Sequence, residues 1–258
     1  MLTFLINLDR SPERLQRTQI VFAKWGLSFT RISGVDGRAI PEATLQTLQQ
    51  PSRDRRYFLK DLTPGEIGCF LSHRKCWEAL VSSHEDWAFV CEDDLIFLGD
   101  PRPFVTKTDW IPSEVGLIQL GKESTHQETV RREKGILLAN NDTGSRLMVL
   151  HGGIGGGSRG YLIRRDIAQL ALSLSNPIPA PLDDLLFSFA SPLRTRMKPW
   201  TLSPSIVSTD DQGQSDVGSE KGKIKTPIWR DPLKYLDRKW INLQNALYST
   251  FACVKDQR

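Results

Sequence analysis

The stretch AFVCEDDLIFL, residues 88–98, places three adjacent carboxylates, Glu92, Asp93 and Asp94, between two apolar runs. Adjacent like charges repel, and burying them without a partner is costly. The five residues WAFVC (87–91) read as a buried strand that ends at the acids. A positive charge is therefore expected at that strand end. Hard divalent cations take carboxylate oxygens and share sites with phosphates. In an extended chain Glu92 and Asp94 point to the same side, which makes them the better pair for a metal and leaves Asp93 to support the loop. A solvated acidic turn is the plain alternative.

Outward from this strand the chain alternates. LTFLINL (2–8) reads as a first strand and SPERLQRTQIVFAKWG (11–26) as a helix, with Ser11 as its cap and Pro12 in its first turn. SFTRI (28–32) reads as a second strand, followed by the turn GVDGR (34–38). Residues 41–60 read as a short helix and a loop. TPGEIGCFLSHRKCWEALVSS (63–83) opens with a capping box, Thr63 and Glu66, and carries Ile67, Phe70, Trp77 and Val81 on one face. VGLIQLG (115–121) is a further strand. The glycine-rich HGGIGGGSRG (151–160) leads into the strand YLIRR and a helix from Asp166, and PAPLDDLLFSFA (179–190) into a short helix. This order predicts an α/β fold with a mostly parallel sheet flanked by helices. Ligands of such sheets bind beyond the carboxyl ends of the strands. Asp9-Arg10, Asp36-Gly37 and the acidic triplet each follow a strand, so one sheet edge is expected to gather them.

The 258 residues suit one large domain with a tail. No stretch approaches the roughly 20 apolar residues of a membrane span. The N-terminus reads as a strand rather than a secretory signal. Cys69, Cys76, Cys91 and Cys253 lack metal-ligand spacing and are expected as reduced thiols, which suits the cytoplasm. The net charge of +4 is uneven: from Glu220 to Arg258 nine Lys/Arg face four acids. Residues 218–258 are thus expected as a basic, amphipathic segment behind a domain of residues 1–217. There Leu233, Leu236, Trp240, Leu243 and Leu247 recur at helical spacing among basic residues. Such a helix suits peripheral contact with an anionic membrane, or simple packing on the domain. No nucleic-acid partner is expected.

INLDRSPERLQR (6–17), LTPGEIGCFLSHRKCWEAL (62–80), WAFVCEDDLIF (87–97), RGYLIRRDIAQLAL (159–172) and PLDDLL (181–186) occur in order. Together they resemble glycosyltransferase family 25, which includes bacterial lipooligosaccharide galactosyltransferases and collagen galactosyltransferases. The resemblance implies a GT-A fold with a Rossmann-like nucleotide-binding half. It also implies a nucleotide-sugar donor, UDP-galactose first, with Mn²⁺ or Mg²⁺, and inverting transfer to a saccharide hydroxyl. For the metal it implies Asp94 and Glu92. No histidine follows His151, so Gln212 or Asp216 is left to complete the metal shell. For the donor it implies Asn7, Leu8, Asp9, Arg10, Arg14, Asp36, Gly37, Glu66, Ser72, His73, Glu92, Asp93 and Lys122. For the base it implies Asp183, with Asp184 second. For the acceptor it implies Gly157, Ser158, Gly160 and Tyr161.

Several of these residues have simpler readings. Arg14 and Lys122 suit exposed surface, Asp36-Gly37 a plain turn, and Glu66 the capping box alone. His73 suits a hydrogen-bonded core histidine, and Asp183 and Asp184 suit helix N-terminal acids favoured by the macrodipole. The expected acceptor is a lipid-linked bacterial surface oligosaccharide (LPS or LOS), met on the inner face of the inner membrane, rather than collagen. The competing functions are a non-catalytic carbohydrate binder and a metal-dependent sugar nucleotidyltransferase.

Overall fold

The computed structural model describes residues 1–49, 61–121, 136–137, 146–149, 157–188, 191–193 and 196–210. Lys122, Gln212, Asp216 and the 218–258 segment lie outside the described residues. Strand β1 (Leu2–Asn7), helix α1 (Pro12–Ala23) and strand β2 (Thr30–Ser33) come first. A 3-10 turn (Gly37–Ala39), α2 (Glu42–Leu48), α3 (Pro64–Val81) and β3 (Trp87–Glu92) follow. Then come β4 (Leu95–Phe97), α4 (Arg102–Val105), β5 (Leu117–Gln119), β6 (Ile136–Leu137) and β7 (Arg146–Val149). Last are β8 (Gly160–Arg164), α5 (Arg165–Ser173), α6 (Leu182–Phe187), β9 (Trp200–Ser203) and β10 (Val207–Thr209).

Eight strands form one sheet in the order β2-β1-β3-β8-β5-β9-β7-β6. β1 pairs in parallel with both β2 and β3, and β5 with β9. β8 runs antiparallel between β3 and β5, and β7 antiparallel between β9 and β6. Six strands share one direction, so the sheet is mostly parallel, as expected of the α/β class. β4 and β10 make a separate antiparallel pair.

Both faces of the sheet are covered, and the alternation along each strand says why. In β3, Ala88 and Val90 pack beneath α3 and α5, with Ile67, Phe70, Trp77 and Leu80. Trp87, Phe89 and Cys91 face the other side, with Phe22 of α1 and Leu95. Side chains of successive strand residues point to opposite faces, so a continuous apolar run is what a doubly covered strand requires. Burial of the two central helices holds the carboxyl ends of β1 and β3 in place.

Three local expectations change. Ser11 does not cap α1 with its side chain; at ψ 56° its backbone is turned away from cap geometry. The Asn7 side-chain amide instead ties the start of the helix by donating to the Ser11 carbonyl (2.9 Å). Trp25 falls in the turn after α1, and β2 begins at Thr30 instead of Ser28. The capping box of α3 forms as its sequence dictates, with Thr63 and Glu66 exchanging bonds.

Candidate active site

The parallel register sets Ile6 beside Glu92, so the ends of β1 and β3 emerge together. Asn7, 1% exposed, links three segments there. Its amide donates to Asp93 Oδ2 (2.7 Å) as well as to Ser11, and its Oδ1 accepts from Arg31 Nε (3.0 Å). Arg14 pairs with Asp93 Oδ1, and Thr18 donates to the Asp93 carbonyl (2.7 Å). The second acid of the triplet is thus neutralised within the chain and supports the loop.

The other two acids meet different surroundings. Burial opposes ionisation of Glu92, but contacts from His73 and Ser158 outweigh it and hold the carboxyl below its ordinary value. Ser158 Oγ donates to Glu92 Oε1 (3.2 Å), and His73 Nε2 stands 3.5 Å from the same oxygen. Asp94 has no such support. Burial and the negative charges of Glu92 and Asp93 push its carboxyl up to about 7, with Arg14 only partly offsetting them. Its Oδ1 is buried with no hydrogen-bond partner among the described residues. The strand ends at Glu92 and the chain turns at Asp93-Asp94, so strand alternation does not govern these side chains. Glu92, Asp93 and Asp94 nevertheless line one cavity.

The cavity, counted together with the solvent of its open mouth, spans about 710 Å³. One wall is α3, which presents Gly65, Cys69, Ser72 and His73. A second, adjoining wall is the turn with Asp36, Gly37 and Arg38. Two glycines let these walls meet backbone to backbone. A Cβ on Gly37 would fall 1.7 Å from the Pro64 carbonyl oxygen, and one on Gly68 would fall 2.6 Å from Gly37 N and Val35 O. Ser72 Oγ accepts from Val35 N (2.8 Å) and donates to the Gly68 carbonyl (2.7 Å), so this hydroxyl is committed to the wall. Asp36 accepts from Arg10 Nε (2.7 Å) and Arg38 N (3.1 Å). Burial opposes ionisation of Asp36, and these bonds hold it below the usual carboxylate range.

Asn7, Leu8, Arg10, Arg14, Asp36, Gly37, Ser72, His73 and the triplet are therefore gathered in one place. Two others named for the donor, Asp9 and Glu66, are not among the lining residues, and neither are Gly157, Ser158, Asp183 and Asp184. Asp9 turns outward to Arg31 and Ser33 (2.9 Å to the latter). Glu66 serves the capping box. Cys69, Arg38 and Val35 line the cavity and were missed, although Cys69 stands one helical turn before His73, on the same face.

Gly157 N donates to Asp183 Oδ2 (3.1 Å), and Asp183 Oδ1 is buried with no hydrogen-bond partner among the described residues. Burial, then the charge of Glu92, pushes the Asp183 carboxyl up, with Ser158 and His73 acting against it. Gly157 and Ser158 thus sit between the two acids. Gly160 and Tyr161 do not face an acceptor. Gly160 pairs with Cys91 inside the sheet, and a Cβ there would meet Leu95 (3.0 Å) and Val207 (3.1 Å). Tyr161 is fully buried and its hydroxyl meets Trp77 and His73. The antiparallel insertion of β8 between β3 and β5 carries both residues into the core, and the sequence pattern did not reveal that pairing.

Among the described residues one three-residue cluster, and the Glu92 and Asp94 carboxylates of the cavity, offer donors to a cation. Donor atoms of Cys69, His73 and Glu92 lie within 4.8 Å of one another. Burial, then the surrounding carboxylates with Glu92 first, push the Cys69 thiol far above its ordinary range, which disfavours the thiolate that a metal ligand needs. Glu92 and Asp94 offer hard oxygens, one of them buried and unmatched. Their chemistry fits Mn²⁺ or Mg²⁺.

The sequence profile of glycosyltransferase family 25 (LPS biosynthesis protein) matches residues 1–186, well over half of the chain. The chain belongs to this family. It is 36% identical over 97 residues to a glycosyltransferase 25 family member of Aedes aegypti, covering 36% of this chain and 16% of that protein. It is 33% identical over 97 residues to human procollagen galactosyltransferase 2, with the same coverage of each chain. Over 135 residues it is 31% identical to a probable inactive glycosyltransferase 25 family member 3 of Bos taurus, covering 48% of this chain and 22% of that protein. The chain therefore spans about a sixth to a fifth of the length of these curated relatives. A crystal structure of a glycosyltransferase involved in glycosylation of the major capsid of PBCV-1 matches 78% of this chain and 80% of that one. Its TM-score is 0.39 at 9% identity. Among the described residues no helix is long and apolar enough to cross a membrane.

Proposed function

We propose that this chain is an inverting, metal-dependent hexosyltransferase, moving galactose from UDP-galactose to a hydroxyl of a bacterial surface oligosaccharide. The observation that carries this reading is Asp94: its Oδ1, just past the end of β3, is buried with no hydrogen-bond partner among the described residues, in a cavity that three arginines also line. Arg10, Arg38 and the Asp36-Gly37 turn suit the nucleotide, and Glu92 with Asp94 the cation; Lys122, Gln212 and Asp216 stay assigned to donor and metal from sequence alone. A divalent cation held there compensates the charge that collects on the departing diphosphate.

Asp183 is the proposed base, with Asp184 second. Its raised affinity for a proton suits it to take one from the acceptor hydroxyl. The acceptor oxygen then bonds to the anomeric carbon as the bond from that carbon to the phosphate oxygen breaks, and UDP departs with the electron pair. Gly157 and Ser158 form the floor near this base, while the basic 218–258 segment is reserved for the membrane where a lipid-linked acceptor lies. A second reading, a saccharide binder without catalysis, draws on the relative named as probably inactive.

A panel of nucleotide sugars with Mn²⁺, read by thermal shift and then by UDP release, tests both. UDP-galactose with Mn²⁺ is expected to raise Tm, and Asp94→Ala to abolish the rise. Acceptor binding with no donor-dependent shift and no UDP release supports the second reading instead.

A further inference from the structure

Four polar side chains line up from the core to the cavity, hydrogen-bonded as far as His73. Trp77 Nε1 donates to Tyr161 Oη (3.0 Å), Tyr161 Oη lies 2.9 Å from His73 Nδ1, and His73 Nε2 stands 3.5 Å from Glu92 Oε1. Trp77, Tyr161 and His73 are all 0% exposed. The acceptor hydroxyl is not made to reach any of them, and the proposed transfer uses none of the first three.

The direction of each proton follows from the donor inventory. An indole N–H can only donate, so Trp77 occupies an acceptor position of the Tyr161 oxygen. The Tyr161 hydroxyl proton then needs an acceptor of its own, and among the described residues that acceptor is His73 Nδ1. Nδ1 is therefore bare, and the imidazole proton sits on Nε2, facing Glu92. The opposite tautomer would strand a buried hydroxyl proton and set a nitrogen lone pair against a carboxylate oxygen. At present Nε2 makes no hydrogen bond of good geometry with a described residue; contacts of this kind tighten when a ligand arrives. Ser158 Oγ donates to the same Glu92 oxygen. Both donors converge on Oε1, and Oε2 takes none of the described donors.

We propose that His73 is a positioning residue, locked by Tyr161 and Trp77 as its Nε2–H tautomer, and that with Ser158 it anchors Glu92 Oε1 and so leaves Oε2 available to a cation. The inference rests on the reading of Glu92 as a cation ligand. It gives the buried Trp77 and Tyr161 a role in the site they do not touch. It also excludes His73 Nε2 as a ligand beside Cys69, because that would need the lone pair where the proton sits.

Imidazole ¹⁵N–¹H correlation spectra of the full chain without ligand read the tautomer directly. The expected spectrum assigns His73 a protonated Nε2 and a bare Nδ1, a preference that Tyr161→Phe weakens. Mn²⁺ titration by calorimetry then compares two variants. Glutamine keeps an acceptor and a donor at matching separation, so His73→Gln holds Mn²⁺ affinity within about threefold, whereas His73→Leu loses about 10- to 100-fold. A protonated Nδ1 in the wild type overturns the proposal, as do equal losses in the Gln and Leu variants. So does a cobalt–thiolate absorption band that Cys69→Ser removes. If the wild type takes no Mn²⁺ at all, the cation reading of Glu92 fails and the anchoring role fails with it. The spectrum still separates that result from a wrong tautomer.

Discussion

Arg14 pairs with Asp93 and comes no nearer than 3.8 Å to Asp94 Oδ2. One arginine therefore neutralises one acid of the triplet, and His73 with Ser158 support another, while Asp94 is left under-compensated. The division explains how the cluster is stable before a ligand arrives and why it attracts a cation.

Arg14→Gln should therefore destabilise the metal-free protein by about 2 kcal/mol, the scale of a lost hydrogen bond to a charged group. Urea denaturation measures this. Added Mn²⁺ should recover part of the loss, because a cation then supplies the missing charge beside Asp93 and Asp94. A loss that Mn²⁺ leaves untouched would separate the arginine from the cation site.

The pH dependence follows from Asp94. Its carboxyl is raised from 3.8 to about 7 in the folded chain, so the folded state holds this proton more tightly than the unfolded state. The stability it contributes is full below the unfolded value and is lost as pH rises through about 7. Asp94→Asn should flatten that decline and raise Tm at about pH 8 relative to the wild type. Mn²⁺ needs the ionised carboxylate, so its affinity should rise with pH up to about 7 and then level off. Melting curves and Mn²⁺ titrations across this range check both slopes.

Gly68→Ala should unseat the Asp36–Arg38 wall, since the new methyl meets backbone atoms of Gly37 and Val35 at 2.6 Å. Overpacking of this kind costs about 1–3 kcal/mol, and UDP affinity should fall with it. Gly99→Ala is the control, because nothing lies within 4 Å of its Cβ and its backbone is not left-handed. Calorimetric UDP titration beside urea melts reads both effects.

Asp183→Asn should lower the transfer rate by about 10²- to 10⁴-fold, the usual contribution of a general base, and leave UDP binding near its wild-type value. Asp184→Asn should act less on the rate. Single-turnover kinetics with a saccharide acceptor separates the two acids.

Much of this architecture was readable in the chain itself. The unbroken run of Trp87 to Cys91 announced a strand covered on both faces, and Thr63-Pro64 with Glu66 announced the start of α3, because both signals are local. The gathering of Arg10, Asp36-Gly37 and the triplet followed from strand order alone, although Asp9 beside Arg10 turns away to Arg31 and Ser33. What stayed hidden depends on contacts between distant segments. Nothing local to Tyr161 reveals that β8 runs antiparallel beside β3 and buries it. Nothing local to Arg14 shows that it faces an acidic turn and not solvent. Strand alternation suggested that Asp93 stood apart from Glu92 and Asp94; Asp93 is indeed set apart, but by Arg14 and Asn7 at a turn. Gly37 and Gly68 read separately as a turn and a helix residue, and only their meeting shows why neither tolerates a side chain.

Calorimetric titration of UDP-galactose into wild-type and Asp94→Ala protein, each with and without Mn²⁺, tests the central claim most directly. The account predicts saturable binding to the wild type that requires Mn²⁺ and disappears in the variant. Equal binding in both proteins, or none by the wild type with Mn²⁺ present, would contradict it.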